Sequence, residues 1–521
     1  MTARRYFSIP PYALLLPLLP VVNLYARNID RLSFAHGAWT AAAFLAGFLA
    51  LMMLLRLVFR RPEISDLLLA VVFAATFLPV GFLDPNGSSL LWVAAWTGVG
   101  AAVILWKESR RFLPIVAAVG PLVYLAPVMV QIFLSPTWAN RAEIRTVTAK
   151  AFDELPVPAT PVTEKRDIYY IIFDRYARAD QLRKVFGHDN SDFIAALRAR
   201  GFFVADEAYS NYQRTTHSVI SSLNFDYLDR LDSPATKDKA DWLPLYEMFQ
   251  DFRIGRFLKG QGYDFHFAGT WWEPTRRIAS ADVFHNFYEM PELARVIYEY
   301  SLVVKAGRFL GIRQTDPLWW QCQRSRLMFD RLGQLEPGGK PKFVFAHFLI
   351  PHPPFVTHET GRCMELDEAL ARTRAENYVG QLKFANQRII AMIDRLLAAP
   401  GLKPIIILQA DEGPWPEKYA GNEVSFMGRD VGGVEWLKAS PDELREKMAI
   451  FSAMYLPGVK SDAIPPSASP VNTFRRVLKT YFNVAIEALP DRYLVYESNA
   501  NLYRFHDVSG ALLTRQISDL D

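Results

Sequence analysis

The stretch Pro404-Ile405-Ile406-Ile407-Leu408-Gln409-Ala410-Asp411-Glu412-Gly413-Pro414 decides the fold. A short run of large aliphatics bounded by Pro and Gly predicts a fully buried strand of a parallel sheet. Two adjacent carboxylates at its C-terminal end serve no packing purpose. Open α/β sheets hold their sites at that end of the strands. A second run, Asp167-Ile168-Tyr169-Tyr170-Ile171-Ile172-Phe173-Asp174, is built in the same way and ends in an acid. Two strand-end acids that can converge point to a metal ion.

Outward from these strands, residues 166–521 alternate strand and helix patterns, as in a layered α/β sheet. Further strands are expected at Phe202–Val204, Tyr263–Ala268, Lys342–Phe348 and Ala449–Leu456, with a small hairpin over Tyr493–Phe505. A helix is expected from about Ser191 to Arg200, and another opens at Thr215 and runs to about Asn224. Tyr378, Leu382, Ala385, Ile389, Ile393 and Leu396 form one stripe of a long helix that leads into the Asp411 strand.

The composition changes at residue 135. Before it lie five apolar runs, roughly 9–25, 38–58, 66–83, 88–106 and 112–134, each near the length that crosses a bilayer as a helix. The first is expected to be a retained helix rather than a removed signal peptide. Arg4, Arg5, Arg60, Arg61, Lys107, Arg110 and Arg111 fall on one side of the membrane, and only Arg27 and Arg31 on the other. The positive-inside rule then puts the N-terminus in the cytoplasm. Five spans put everything after residue 135 outside it, as expected of a multi-pass protein of a bacterial inner membrane. No charge sits mid-span, so the helices read as an anchor in the lipid bilayer, not as an ion path. Residues 136–165 read as a linker, part helical (Trp138 to Asp153) and part proline-stiffened (155–161).

The net charge of +4 is small and dispersed, which excludes nucleic acid as a partner. The two cysteines, Cys322 and Cys363, form no CxxC pattern, which excludes a thiolate zinc site and leaves a single disulfide open.

Asp174, Asp411 and Glu412 are hard oxygen donors, suited to Mn²⁺, Mg²⁺ or Ca²⁺ more than to zinc. Thr215 can cap its helix or act as a nucleophile where the helix N-terminus attracts an anion. His352, held between Pro351 and Pro353 after a strand end, is a candidate phosphate-oxygen donor or general acid. His347 lies on the strand itself. Arg175 and Arg214 abut candidate ligands but are expected to be solvated, as is His217. Trp271 and Trp272 are candidates to line a lipid or sugar pocket.

The segments Ile171–Asp174, Ser210–Thr215, His347–Phe355 and Leu408–Pro414 resemble, in that order, those of the membrane-anchored sulfatase-like proteins of the alkaline phosphatase superfamily. Lipoteichoic acid synthases and phosphoethanolamine transferases are members with the same plan. The resemblance covers about residues 166–510. It implies one divalent metal ion, Mn or Mg ahead of Zn or Ca, held by Asp174, Thr215, Asp411 and Glu412. It further implies Thr215 as nucleophile and His352 beside the transferred group; His347, Arg214 and Trp271 join His352 as substrate-binding candidates on their positions in the sequence. The implied function is metal-dependent transfer or hydrolysis of a phosphorylated lipid or envelope glycan outside the cytoplasm.

Two departures stand out. The family's Asp-His-Gly is here Asp411-Glu412-Gly413, which adds negative charge beside an anionic substrate and opens a second reading, a catalytically weakened scaffold for glycan assembly. Thr215-Thr216-His217-Ser218 also lacks the Cys/Ser-x-Pro-x-Arg of formylglycine sulfatases, which argues against sulfate-ester hydrolysis by that chemistry.

Overall fold

The computed structural model describes residues 8–59, 62–77, 89–106, 108–286, 290–336, 338–420 and 434–514. They form two compact units, residues 1–138 with 290–317, and residues 139–289 with 318–521.

In the first unit the helices are α1 (Pro11–Leu15), α2 (Leu18–Arg27), α3 (Phe34–Phe59), α4 (Pro62–Phe77), α5 (Ser89–Leu105) and α6 (Ser109–Phe133). They follow the five apolar runs, Pro17 dividing the first of them. Two stretches, Phe34–Phe59 and Arg111–Thr148, are long and apolar enough to cross a membrane on their own. Their outward faces carry apolar side chains, including Leu57, Val58, Val123 and Phe133, as lipid-facing helices require. Arg56 near the end of α3 and Asp66 in the first turns of α4 form a buried ion pair (2.6 Å), which fastens that hairpin at its tip. Arg4, Arg5, Arg60, Arg61 and Lys107, which carry most of the expected charge bias, lie outside the described residues, as do residues 78–83 and 88 of two apolar runs.

The second unit is built on a seven-stranded sheet. Its strands are β1 (Ile168–Phe173), β2 (Phe203–Val204), β3 (Asp264–Ala268), β4 (Val283–Phe284), β5 (Lys342–Phe348), β6 (Ile405–Gln409) and β7 (Ser452–Tyr455), in the order β2-β7-β6-β1-β5-β3-β4. β1 lies at the centre, parallel to β5 on one side and β6 on the other. β7 runs antiparallel to β6. All residues of β1 and β6 are buried, which explains their unbroken aliphatic and aromatic sequences. A hairpin, β8 (Leu494–Ser498) and β9 (Asn501–Asp507), stands apart from the sheet.

Helix α7 (Thr215–Asn224) follows β2 and is buried along almost its whole length. After β4 the chain leaves this unit. Helices α8 (Glu292–Glu299) and α9 (Leu302–Phe309) belong to the membrane unit, and the chain returns at residue 318. Nothing in the sequence signalled this excursion. The long helix α10 (Arg374–Ala398) starts with a capping box, Thr373 and Glu376, and feeds β6. Helix α11 (Pro441–Met448) starts with another, Ser440 and Glu443, and precedes β7.

Residues 139–165, most of the expected linker 136–165, are tied into the α/β unit. Arg141 is buried and paired with Asp241 at 2.8 Å, and the Ala159 N–H donates to the Asn483 carbonyl. Cys322 and Cys363 form a disulfide, which suits an oxidising compartment outside the cytoplasm.

Candidate metal centre

The sheet register assembles the site. Ile172 is level with Gln409 on β6 and with His347 on β5. Two residues further along, Asp174 and Asp411 leave neighbouring strand ends together. Asp174, His347 and Asp411 are fully buried, and one ligand atom from each lies within 4.8 Å of the others. Three of their atoms, Asp174 Oδ1, His347 Nε2 and Asp411 Oδ2, have no hydrogen-bond partner. Buried polar atoms are nearly always paired. Three buried residues that bring ligand atoms within 4.8 Å of one another, each with a polar atom left unpaired, are what a cation site presents, so these residues fit a divalent metal ion.

The electrostatics agree. Burial, then the charge of Glu412, pushes the Asp174 carboxyl up to about 7. Burial, then Asp174 and Glu412, pushes Asp411 up to about 8. Burial also holds His347 neutral, down to about 4. Its Nδ1 is bonded to the Thr275 hydroxyl (2.9 Å), which is bonded in turn to that of Thr270 (2.9 Å). This fixes the ring and leaves Nε2 facing Asp174 Oδ2 at 3.6 Å. Trp272 stands edge-on to the same ring. His347 thus joins the cluster, although the sequence placed it among the substrate contacts. Thr275 and Thr270 were missed. Their signal is the turn after β3, which the pairing of Ala268 with Ala346 brings beside His347.

Glu412 faces the other way, as the next residue along an extended chain must. Oε1 accepts from Lys447 Nζ (2.6 Å) and Arg175 Nε (3.3 Å), and Oε2 accepts from the backbone N–H of Thr215 (3.0 Å). Burial raises its pKa, but Lys447, Arg175 and Arg214 outweigh that and hold it below the usual carboxylate range. Burial lowers Lys447 to about 8. The residue that departs from the family motif is matched by a buried lysine of this chain. Gly413 allows the approach, because a Cβ there would lie 2.3 Å from the Glu446 carbonyl oxygen.

Two expectations are corrected here. Arg175 is not solvated but buried, in the left-handed region (φ 61°), a conformation that costs on the order of 1 kcal/mol for a non-glycine residue. Its N–H donates to Asp411 Oδ1 (3.2 Å) and its carbonyl accepts from the Tyr378 hydroxyl (2.6 Å), which hold the bend. His217 is not exposed but fully buried among Tyr212, Trp242, Tyr496 and Phe505, with Nε2 against the Leu502 carbonyl. It holds the hairpin, not substrate.

Thr215 is the first residue of α7. Its side chain stands near the Asp411 carboxyl, whose pKa it lowers slightly, and its N–H, donated to Glu412 Oε2, ties the helix start to the end of β6. Arg214 is half-buried. With Arg175 and Lys447 it surrounds the Trp415 ring, the three cations lying 5.0, 5.7 and 4.4 Å from its centroid. His352 is half-buried; its N–H donates to the Asp174 carbonyl (3.2 Å), and its Nδ1 lies against the Pro353 carbonyl. A carbonyl can only accept, so Nδ1 carries the proton. Burial and the charge of Arg175 hold the ring well below its ordinary pKa. Trp271 is half-buried, with Nε1 donating to Gln321 (2.9 Å).

Residues 169–452 match the family model described as Sulfatase, more than half of the chain. The chain belongs to the sulfatase family. No curated protein matches it. Among solved structures, it is similar to the C-terminal periplasmic domain of EcEptC from Escherichia coli, at 12% identity over 70% of this chain and 99% of that one, with a TM-score of 0.44. It is also similar to the integral membrane lipooligosaccharide phosphoethanolamine transferase A from Neisseria meningitidis, at 13% identity over 90% of this chain and 95% of that one, with a TM-score of 0.40. Likenesses this distant do not bear on which group this family member handles.

Removing any bound cation has a signed consequence. Carboxylates of the unfolded chain titrate near 4, whereas Asp174 and Asp411 hold their protons to about 7 and about 8. The folded state then binds more protons, so stability falls as pH rises through that range. Below about 6.5 His347 acts in the opposite sense, and above about 8 Lys447 does. The melting temperature of chelator-stripped protein is expected to fall from about pH 6.5 to about pH 8, and a divalent cation to restore it most at the upper end. A melting temperature that rises across this window in the stripped protein contradicts the assignment.

Proposed function

We propose that this chain is a membrane-anchored enzyme that uses one divalent cation and Thr215 to move a phosphoryl group carried by a lipid or envelope glycan outside the cytoplasm. The observation that carries this reading is the cluster of three buried ligand residues, each with an unpartnered polar atom, close to a threonine at a helix start. Asp174, His347, Asp411 and Thr215 would hold the cation. When bound, it would favour the ionised form of the hydroxyl and offset the charge of the phosphoryl oxygens. This ligand set exchanges Glu412 for His347, and one nitrogen among oxygens brings Zn²⁺ level with Mn²⁺.

The remaining chemistry belongs to the chain's own groups. The phosphoryl group sits at the N-terminus of α7, whose amides favour an anion. Arg175, Arg214 and Lys447 set three positive charges against the three carboxylates, so the site is not repelling to an anionic substrate. The Thr215 Oγ1–P bond forms as the bond from phosphorus to the leaving alcohol breaks. The threonine proton passes to Asp411, and the departing oxygen takes its proton from solvent. His352, neutral with its proton on Nδ1, offers Nε2 as an acceptor, so its role is that of a base. It takes the proton from the alcohol or water that releases the phosphothreonine. Phosphoryl transfer over sulfuryl transfer is favoured by the sequence at Thr215, which lacks the formylglycine pattern.

The scaffold reading rested on Glu412 repelling substrate or metal. Its two oxygens are taken up by Lys447, Arg175 and the Thr215 amide, which removes that ground. Mass spectrometry of protein incubated with lipid phosphodonor and no acceptor should find phosphate on Thr215. Phosphate absent from that residue under all donors, or present elsewhere, counts against the mechanism. A reporter active only in the cytoplasm, fused after Asp521, should be silent, and strong signal overturns the extracytoplasmic placement.

A further inference from the structure

We propose that the segment 302–312, contributed to the membrane unit from between β4 and β5, inserts its apolar tip into the bilayer interface as a second membrane attachment. Helix α8 packs against α2 and α3, and α9 against α4. Leu293 and Ile297 of α8 share a buried cluster with Val21, Tyr25, Leu32 and Ile132. Tyr25, Leu32 and Ile132 lie at or just beyond the C-terminal ends of α2 and α6. The segment therefore sits at one end of the helix bundle, at the depth where a bilayer passes from tails to headgroups.

Its far side is apolar and uncovered. Phe309 is 90% exposed, Leu310 66%, Ile312 45% and Val303 42%. Four large apolar side chains in eleven residues are unusual on a surface that meets water. They are also held in place. A Cβ on Gly307 would lie 1.7 Å from Thr315 Oγ1, so the turn closes directly onto α9. Arg308 and Asp316 form a two-pronged ion pair (2.7 and 2.9 Å) across the same turn. Gly311, at φ 72°, makes the reversal between Leu310 and Ile312. The occupant is the bilayer because the same end of this unit exposes further large apolar side chains, Phe34 and Trp39 in the first turns of α3 and Phe133 and Leu134 at the end of α6. Apolar side chains interspersed with cationic ones, here Lys305, Arg308 and Arg313, are the composition of interfacial segments.

The test uses full-length protein in nanodiscs of phosphatidylethanolamine and phosphatidylglycerol, with a nitroxide on Phe309→Cys. Both native cysteines are in a disulfide, so the label is site-selective. Power saturation compares access of oxygen, which partitions into lipid, with access of a water-soluble nickel chelate. A label on Val123→Cys supplies the lipid reference and free label in buffer the aqueous one. The oxygen-to-nickel ratio at 309 should exceed the aqueous reference several-fold, with the same result at Leu310→Cys and Ile312→Cys. A ratio at the aqueous value at all three positions overturns the proposal. Spin–spin broadening at 309 with both relaxants excluded also overturns it, since a second copy then covers the tip. An unchanged melting temperature of each labelled variant shows that the fold is kept, as expected for side chains this exposed.

Discussion

Thr215→Ala is expected to fold, insert and keep a cation on the three remaining ligands, Asp174, His347 and Asp411, yet to lose turnover by roughly four to six orders of magnitude, the cost of deleting a nucleophile that acts as part of a unit. The hydroxyl stands at a helix N-terminus, near the strand-end carboxyl of Asp411. Its loss removes the bond-forming atom and leaves the backbone N–H to Glu412 in place. Thr216→Ala is the matching control. Thr216 is a buried neighbour whose removal should lower turnover only slightly. Single-turnover kinetics with a phosphorylated lipid separates the two. Near-normal turnover in Thr215→Ala would end the enzyme reading as drawn and return the chain to the scaffold class.

Asp411→Asn is expected to weaken cation binding by more than roughly 100-fold, beyond what loss of an outer-shell partner costs. The same change should make the metal-stripped protein more stable at pH 8, because Asp411 then no longer faces the charges of Asp174 and Glu412. Lower affinity with higher stripped stability is a signature that a merely damaged core cannot produce. Glu412→Gln should behave in the opposite way. It should keep the cation but lose roughly 3–5 kcal/mol of stability, the cost of breaking a buried ion pair. Calorimetry and thermal melts on the three proteins decide between the roles of Asp411 and Glu412.

Much of this site was readable in the chain. β1 and β6 are buried on both faces, so their aliphatic runs could be recognised without knowing the partner strands. The acids that end them stood out because nothing in a core calls for them. β5, Lys342–Phe348, lies at its expected span for the same reason, and the hairpin, Leu494–Asp507, lies near its own. The role of His347 was not legible. A histidine on a strand reads alike whether it packs or binds, and only the alignment of β5 with β1 brings it to Asp174. Glu412 read as a ligand because it adjoins Asp411. Its true neighbour, Lys447, is 35 residues away at the end of α11, and no local pattern links the two. An arginine at a strand end is usually solvated, whereas the bend after β1 folds Arg175 inward. The return of residues 290–317 to the membrane unit left no mark either, since short amphipathic helices look the same on a soluble surface and on a bundle.

The central claim is that one cation is held at the strand ends by Asp174, His347 and Asp411. Anomalous scattering from crystals of the purified protein, recorded at the manganese and zinc edges, tests it most directly. The account predicts a single peak within bonding distance of Asp174, Asp411, His347 Nε2 and Thr215 Oγ1, with Glu412 still on Lys447. A peak bound through Glu412 and not His347, a peak elsewhere, or none in crystals soaked with either metal would contradict it.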